Sequence, residues 1–209
     1  MTIGKMELNT PRGLVIFEGP VTDRYIAGLT MNEGLTNFRQ PEQQQKALMT
    51  ITNLPDGMIF LARHKQEIIA YVTFHHPDEF SRWSKHPRVL EMGGIEVSPS
   101  WRGCRIGENL LKLAFSHPRV EDFIVITTEY CWHWDMKRTG LDVWAYQKML
   151  TKLFGRVGLQ KVTTDDPDIL EHPANVLMAR TGKNVGKEDI LLFEEMRFMG
   201  KFGRAVNMS

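Results

Sequence analysis

The stretch from Ile95 to Leu111 reads as a strand, a tight connection holding Gly103 and Gly107, and the opening turns of a helix. Such a loop aims several unpaired amide N–H groups, and the positive end of the helix dipole, at one point. That is an anion site in outline, and a pyrophosphate fits it. Neither common phosphate loop is present, because the stretch lacks both a GK[ST] ending and a G-x-G-x-x-G series. His75-His76-x-Asp78 and His133-x-Asp135 hold metal-ligand residue types, yet they lack a recognised ligand spacing, so no metal is expected. The two cysteines, Cys104 and Cys131, are likewise not spaced for a metal.

The elements that must carry this loop follow from pattern. At 209 residues, 42% hydrophobic and 24% charged, the chain is long enough for one full domain with an extension. Its formal net charge of +1 provides no broad field for a polyanion, so nucleic acid is not an expected partner. No long apolar run or leader pattern is visible, and a reduced, cytoplasmic protein without membrane association is expected. Gly13 to Pro20 reads as a first strand, followed by helices over 22–29 and 43–54 and a hairpin of 58–63 with 68–74. Val89 to Val97 is the strand that enters the loop, and the helix after it runs from Ile106 to Phe115. Phe123 to Tyr130 has the β-branched run of a central strand. The aromatic link Cys131 to Gly140 precedes a helix to Phe154 and a last strand over 159–163. This is an α/β chain with a mixed sheet. The expected division is a domain over 13–163 and a helical extension over 164–209, with an amphipathic helix near 188–198 and no further strand.

Arg102-Gly103-x-x-Ile106-Gly107, preceded by Val97-x-Pro99, resembles motif A of the GCN5-related N-acetyltransferases, and the element order β, α, α, β, β, β, α, β, α, β is similar to theirs. The resemblance implies an acyl-CoA N-acyltransferase fold with acetyl-CoA as cosubstrate. It places Ile95 and Val97 along the pantetheine arm by main chain, and Arg102, Gly103, Cys104, Arg105, Ile106 and Gly107 around the pyrophosphate, with Asn109 in the helical turn beyond. Arg105 departs from the pattern, which has a small residue there; its side chain either crowds the phosphates or adds a charge-assisted contact to them. Strings further on, among them Thr127-Thr128-Glu129-Tyr130-x-Trp132-His133-Trp134-Asp135 and His172-Pro173-Ala174-Asn175, resemble an acetoin-linked, protein-acetylating branch. That branch implies acetyl-CoA synthetase as the protein partner, modified on its active-site lysine, and homodimers are compatible with it.

An amine acceptor with an ordinary lysine pKa of about 10.4 must lose a proton before its nitrogen attacks a thioester. Glu91 and Glu96 are the candidate bases. The resemblance favours Glu91. A regular strand would face them to opposite sides, but a bulge at Gly93-Gly94 would bring both to one face. Glu129 and His133 are further candidates on the acceptor side. The family's usual thiolate-protonating tyrosine is replaced by Phe154, which leaves Tyr146, two turns earlier, as a substitute acid or a packed core residue. Two other readings stay open on sequence alone: the same chemistry on a small amine, or a non-catalytic acetyl-CoA sensor.

Overall fold

The computed structural model describes residues 4–199. In chain order, β1 (Gly4–Thr10) and β2 (Gly13–Gly19) form a hairpin, followed by α1 (Asp23–Ala27), β3 (Thr30–Met31) and α2 (Pro41–Thr52). The centre holds β4 (Met58–His64), β5 (Glu67–His75), β6 (Val89–Val97), α3 (Ile106–Phe115) and β7 (Ile124–Glu129). Then come α4 (Met136–Thr139), α5 (Val143–Gly155), β8 (Gln160–Val162), α6 (Pro167–Leu170), β9 (Val176–Thr181) and α7 (Lys187–Met196). The strands make one sheet in the order β1-β2-β4-β5-β6-β7-β9-β8, with β3 beside β5. Only β3–β5 and β6–β7 are parallel; α3 is the crossover that parallel β6 and β7 require.

Local chemistry explains the boundaries. Pro41, in the first turn of α2, has no N–H to leave unpaired. Asp142 caps α5 by accepting from Trp144 N at 2.9 Å and Ala145 N at 2.8 Å. The apolar runs of β4 and β5 are buried because both faces of the sheet are covered. On one face α3 and α5 pack Leu110, Leu111 and Phe154 against Phe60, Val72 and Met92. On the other, α1 and α2 cover Ile59 and Tyr71, and α6 and α7 cover Ile126 and Leu177.

Three strands exceed the sequence expectation: β1, the two-residue β3, and β9. The last changes the layout most, since β9 lies inside the sheet, pairing with β7 over all six residues and with β8 on its other side. Residues 176–181 thus belong to the same sheet as the stretch before residue 164. Helix α7 overlaps the helical stretch expected near 188–198, beginning one residue earlier and ending at Met196, while the 200–209 portion of the extension falls outside the described residues.

Two irregularities shape the middle of the sheet. Thr73 pairs with Gly94 but Phe74 pairs with Met92, so Gly93 is an extra residue in β6, a bulge at the expected glycines. A side chain at Gly93 would collide with the His75 ring, its Cβ lying 2.2 Å from Nε2. The second irregularity is that β6 and β7 pair only over Val89–Glu91 with Ile124–Ile126 and then part. The remaining length of β6 on that side faces a cavity instead of a strand.

Candidate active site

The cavity that opens where β6 and β7 part measures about 490 Å³. Ile95, Glu96 and Val97 line it from β6, Arg102, Gly103, Arg105, Ile106 and Gly107 from the loop, and Tyr146, Leu150 and Leu153 from α5. The loop's shape comes from two left-handed residues, Gly103 at φ +82° and Arg105 at φ +57°. They turn the chain sharply enough to start α3 at Ile106, leaving the amides of residues 106–108 free of helical acceptors. A Cβ on Gly107 would meet Val97 and Leu153 at 3.6 and 3.8 Å, the two walls of the cleft. Arg105, Lys152 and Arg156 add positive charge at the rim. Arg156 and Lys112 both pair with Glu108, which neutralises the acid in the first helical turn. A diphosphate with an extended arm fits this arrangement: amides and cations at one end, and the unpaired flank of β6 with apolar walls along the cleft.

The remaining loop residues have structural roles. Arg102 turns its guanidinium to Asp135, at 2.5 Å. Cys104 packs half-buried against the core, and Asn109 donates to the Arg105 carbonyl at 3.0 Å.

The carboxylates separate. The bulge sets Glu91 and Glu96 on one face of β6, opposite His75 and Tyr71 respectively. Glu96 is 5% exposed and borders the cleft; its Oε1 accepts from Asn37 N at 2.8 Å and its Oε2 from the Tyr71 hydroxyl at 2.7 Å. Burial, and next the charge of Glu96, push the Tyr71 phenol far up, so it stays protonated and donates. Glu91 does not line this cleft. It accepts from Thr128 Oγ1 at 2.9 Å and borders a second cavity with Asp78, Arg82, Tyr130, Asp166 and Asp168. Glu129 accepts from Thr127 Oγ1 at 2.7 Å and from Trp134 Nε1 at 3.3 Å, and burial raises its pKa.

Tyr146 lines the cleft and stacks on Trp134, with ring centroids 5.3 Å apart. Burial raises its pKa too, so the hydroxyl keeps its proton near neutral pH. Phe154 is wholly buried. His133 is exposed, its carbonyl taking the Asn37 side-chain amide at 3.0 Å. Among the described residues no cluster of three or more His, Cys, Asp or Glu is placed to hold a metal ion, and no helix is long and apolar enough to cross a membrane.

Sequence reasoning did not reach Asn37, Tyr71 or Arg138. Asn37 is brought to Glu96 across 59 residues of chain, and nothing local marks it. Tyr71 carried a faint signal, since a tyrosine within an apolar strand needs a partner for its hydroxyl.

The acetyltransferase (GNAT) family model matches residues 29–131, which span the strands and loop that form the cleft. The acetoin utilization protein AcuA of Bacillus licheniformis is 45% identical over 198 residues, covering 94% of each chain. Its counterpart in Bacillus subtilis is 42% identical over 203 residues, covering 96% of this chain and 97% of that one. A crystal structure of an acetoin utilization protein from Exiguobacterium sibiricum superposes with a TM-score of 0.93 at 43% identity, covering 97% of both chains. With a cleft suited to a diphosphate and near full-length similarity to these proteins, the chain belongs to the GNAT family of acetyltransferases and is an acetyl-CoA-dependent N-acetyltransferase.

Proposed function

We propose that the protein acetylates a lysine of acetyl-CoA synthetase and silences that enzyme in acetoin and acetate metabolism, with Glu96 as general base. The observation that carries the mechanism is that Glu96 is the one glutamate of β6 that borders the cleft formed by the Arg102–Gly107 loop. The bound cosubstrate supplies an acetyl thioester. Everything else falls to this chain's own side chains. The loop amides, with Arg105, Lys152 and Arg156, bind the diphosphate, and the free flank of β6 at 95–97 aligns the arm. Glu96 takes the proton from the incoming ammonium, and Tyr71 and the Asn37 amide keep its two oxygens oriented. Tyr146 donates a hydrogen bond to the departing sulfur; a thiol with a pKa of about 8.5 leaves with little more help.

The acceptor assignment draws on the similarity to the acetoin utilization proteins and on the Glu91 end of β6. There Glu91, Asp78 and Asp168 border the second cavity, with Asp166 paired to Arg82, and the three acids make an approach suited to a cationic side chain. In this reading Glu91 serves the acceptor side. Mass spectrometry of the synthetase after incubation with this protein and acetyl-CoA tests the partner: one dominant acetylated lysine and lost synthetase activity are expected, and an unmodified synthetase overturns it. Glu96→Gln is expected to lower turnover about 10²–10⁴-fold while acetyl-CoA still binds; full turnover removes Glu96 from the role.

A further inference from the structure

One ion-pair relay connects the cofactor loop to the segment that holds Glu96. Asp135 is buried beside the cleft and binds two arginines: Arg102 of the loop at 2.5 Å and Arg138 of α4 at 2.8 Å. Burial alone would raise the Asp135 pKa, but the two guanidiniums outweigh it and hold the carboxyl below the usual range, so it stays ionised between them. Arg138 then reaches the chain between β3 and α2, donating through Nη1 to the Gly34 carbonyl at 3.0 Å and to Thr36 Oγ1 at 3.0 Å. The next residue is Asn37, whose main-chain N–H donates to Glu96 Oε1.

Residues 34–37 have no ladder of their own. Leu35, wholly buried, anchors the middle of the segment, with turn bonds from Leu35 N to the Asn32 carbonyl at 3.0 Å and from Thr36 N to the Gly34 carbonyl at 3.1 Å. Its ends are placed by the Arg138 fork, the Asn37 side chain on the His133 carbonyl, and Asn32, which accepts from Gly34 N at 3.0 Å and from Ser98 Oγ at 2.7 Å. Two of these come from the aromatic link before α5. With Leu35 fixing its middle, the end of the segment at Thr36 and Asn37 moves most when the Arg138 fork is lost, and the donor it presents moves with it.

We propose that Arg138 is a positioning residue for the transfer reaction: held by Asp135, it fixes residues 34–36 so that the Asn37 amide orients the Glu96 carboxylate. Arg138 touches neither the cleft nor the acetyl-CoA loop directly. This inference rests on Glu96 being the base, and the tests below separate the two.

Hydrogen exchange at the Asn37 amide, followed by NMR on the full chain, reads the positioning without an acceptor. Arg138→Gln is expected to accelerate that exchange at least tenfold, and Arg138→Lys to restore part of the protection; unchanged protection in Arg138→Gln overturns the proposal. Kinetics on acetyl-CoA synthetase supply the second readout. Arg138→Gln is expected to lower kcat about tenfold, equivalent to about 1.4 kcal/mol, with KM for acetyl-CoA within about twofold of the parent. Because Arg138 acts through Glu96, adding Arg138→Gln to Glu96→Gln is expected to cost nothing further. An equal extra loss in the double variant overturns the positioning role while leaving Glu96 as base. Full turnover by Glu96→Gln overturns the base assignment itself.

Discussion

Arg105 is the residue at which this chain departs from the family's loop, and its backbone shows what the departure costs. The position has φ +57°, a left-handed conformation that a glycine adopts freely and an L-residue with a Cβ does not. The chain keeps the turn that a small residue would give and accepts local strain, while the exposed guanidinium sits at the cleft rim. Two substitutions separate backbone from charge. Arg105→Gly is expected to be more stable than Arg105→Ala by about 1 kcal/mol, measured by urea unfolding, since only glycine escapes the left-handed penalty. Both are expected to raise KM for acetyl-CoA severalfold if the guanidinium assists the diphosphate; an unchanged KM assigns the loop's affinity to its amides. The sequence marked Arg105 as unusual but did not tell crowding from contact, because that depends on φ, which composition does not report.

At the scale of elements, what sequence revealed followed burial. The hairpin of β4 and β5, the strand into the loop and the amphipathic α3 and α5 announce themselves through long apolar runs or helical spacing. Gly93-Gly94 marked a bulge because adjacent glycines inside a strand need a reason. β1 and β9 were silent for opposite reasons. In β1 the alternation is carried by Met6 and Leu8 among Lys5, Glu7 and Asn9, too weak to stand out. In β9 the segment Val176–Thr181 is short, includes Met178, Ala179 and Arg180, and lies among proline, asparagine and glycine punctuation. Its buried place is set by β7 and β8 rather than by its own propensity. A chain ending at residue 163 would therefore leave the β9 side of β7 unpaired along six residues and uncover Ile126. Such a truncation is expected to give no cooperative thermal transition and to aggregate in size-exclusion chromatography; a monomer that melts cooperatively would show that the first part folds alone.

Across the whole molecule, three carboxyls join distant segments and share an electrostatic trend. Burial opposes ionisation at Asp56, Glu121 and Asp135, but hydrogen bonds and charge from Arg119 and His76, from Arg180, and from Arg102 and Arg138 prevail and lower each pKa. A lowered folded pKa means that the native state binds fewer protons than the unfolded chain. The stability these groups add is complete above their unfolded values near 4 and is lost as pH falls through the folded ones. Glu129 runs the other way: raised by burial, it favours the fold at low pH and loses that contribution as pH rises through its folded value. Melting temperature is expected to fall as pH drops below about 4, followed by tryptophan fluorescence, and Asp135→Asn to flatten part of that fall. A profile that does not change down to about pH 3 would contradict these ion pairs.

The parting of β6 from β7 makes the sheet two plates, joined along this line by the three residue pairs between Val89–Glu91 and Ile124–Ile126. The Arg102–Gly107 loop and the buried Glu96 ride on the β6 plate, while Glu129 and the start of the aromatic link ride on the β7 plate. A guest lodged in the seam takes the position of the absent rungs. Loading the cleft is expected to stiffen that hinge, read as slowed amide exchange across both plates on addition of acetyl-CoA; unchanged exchange would show the plates to be rigid without it.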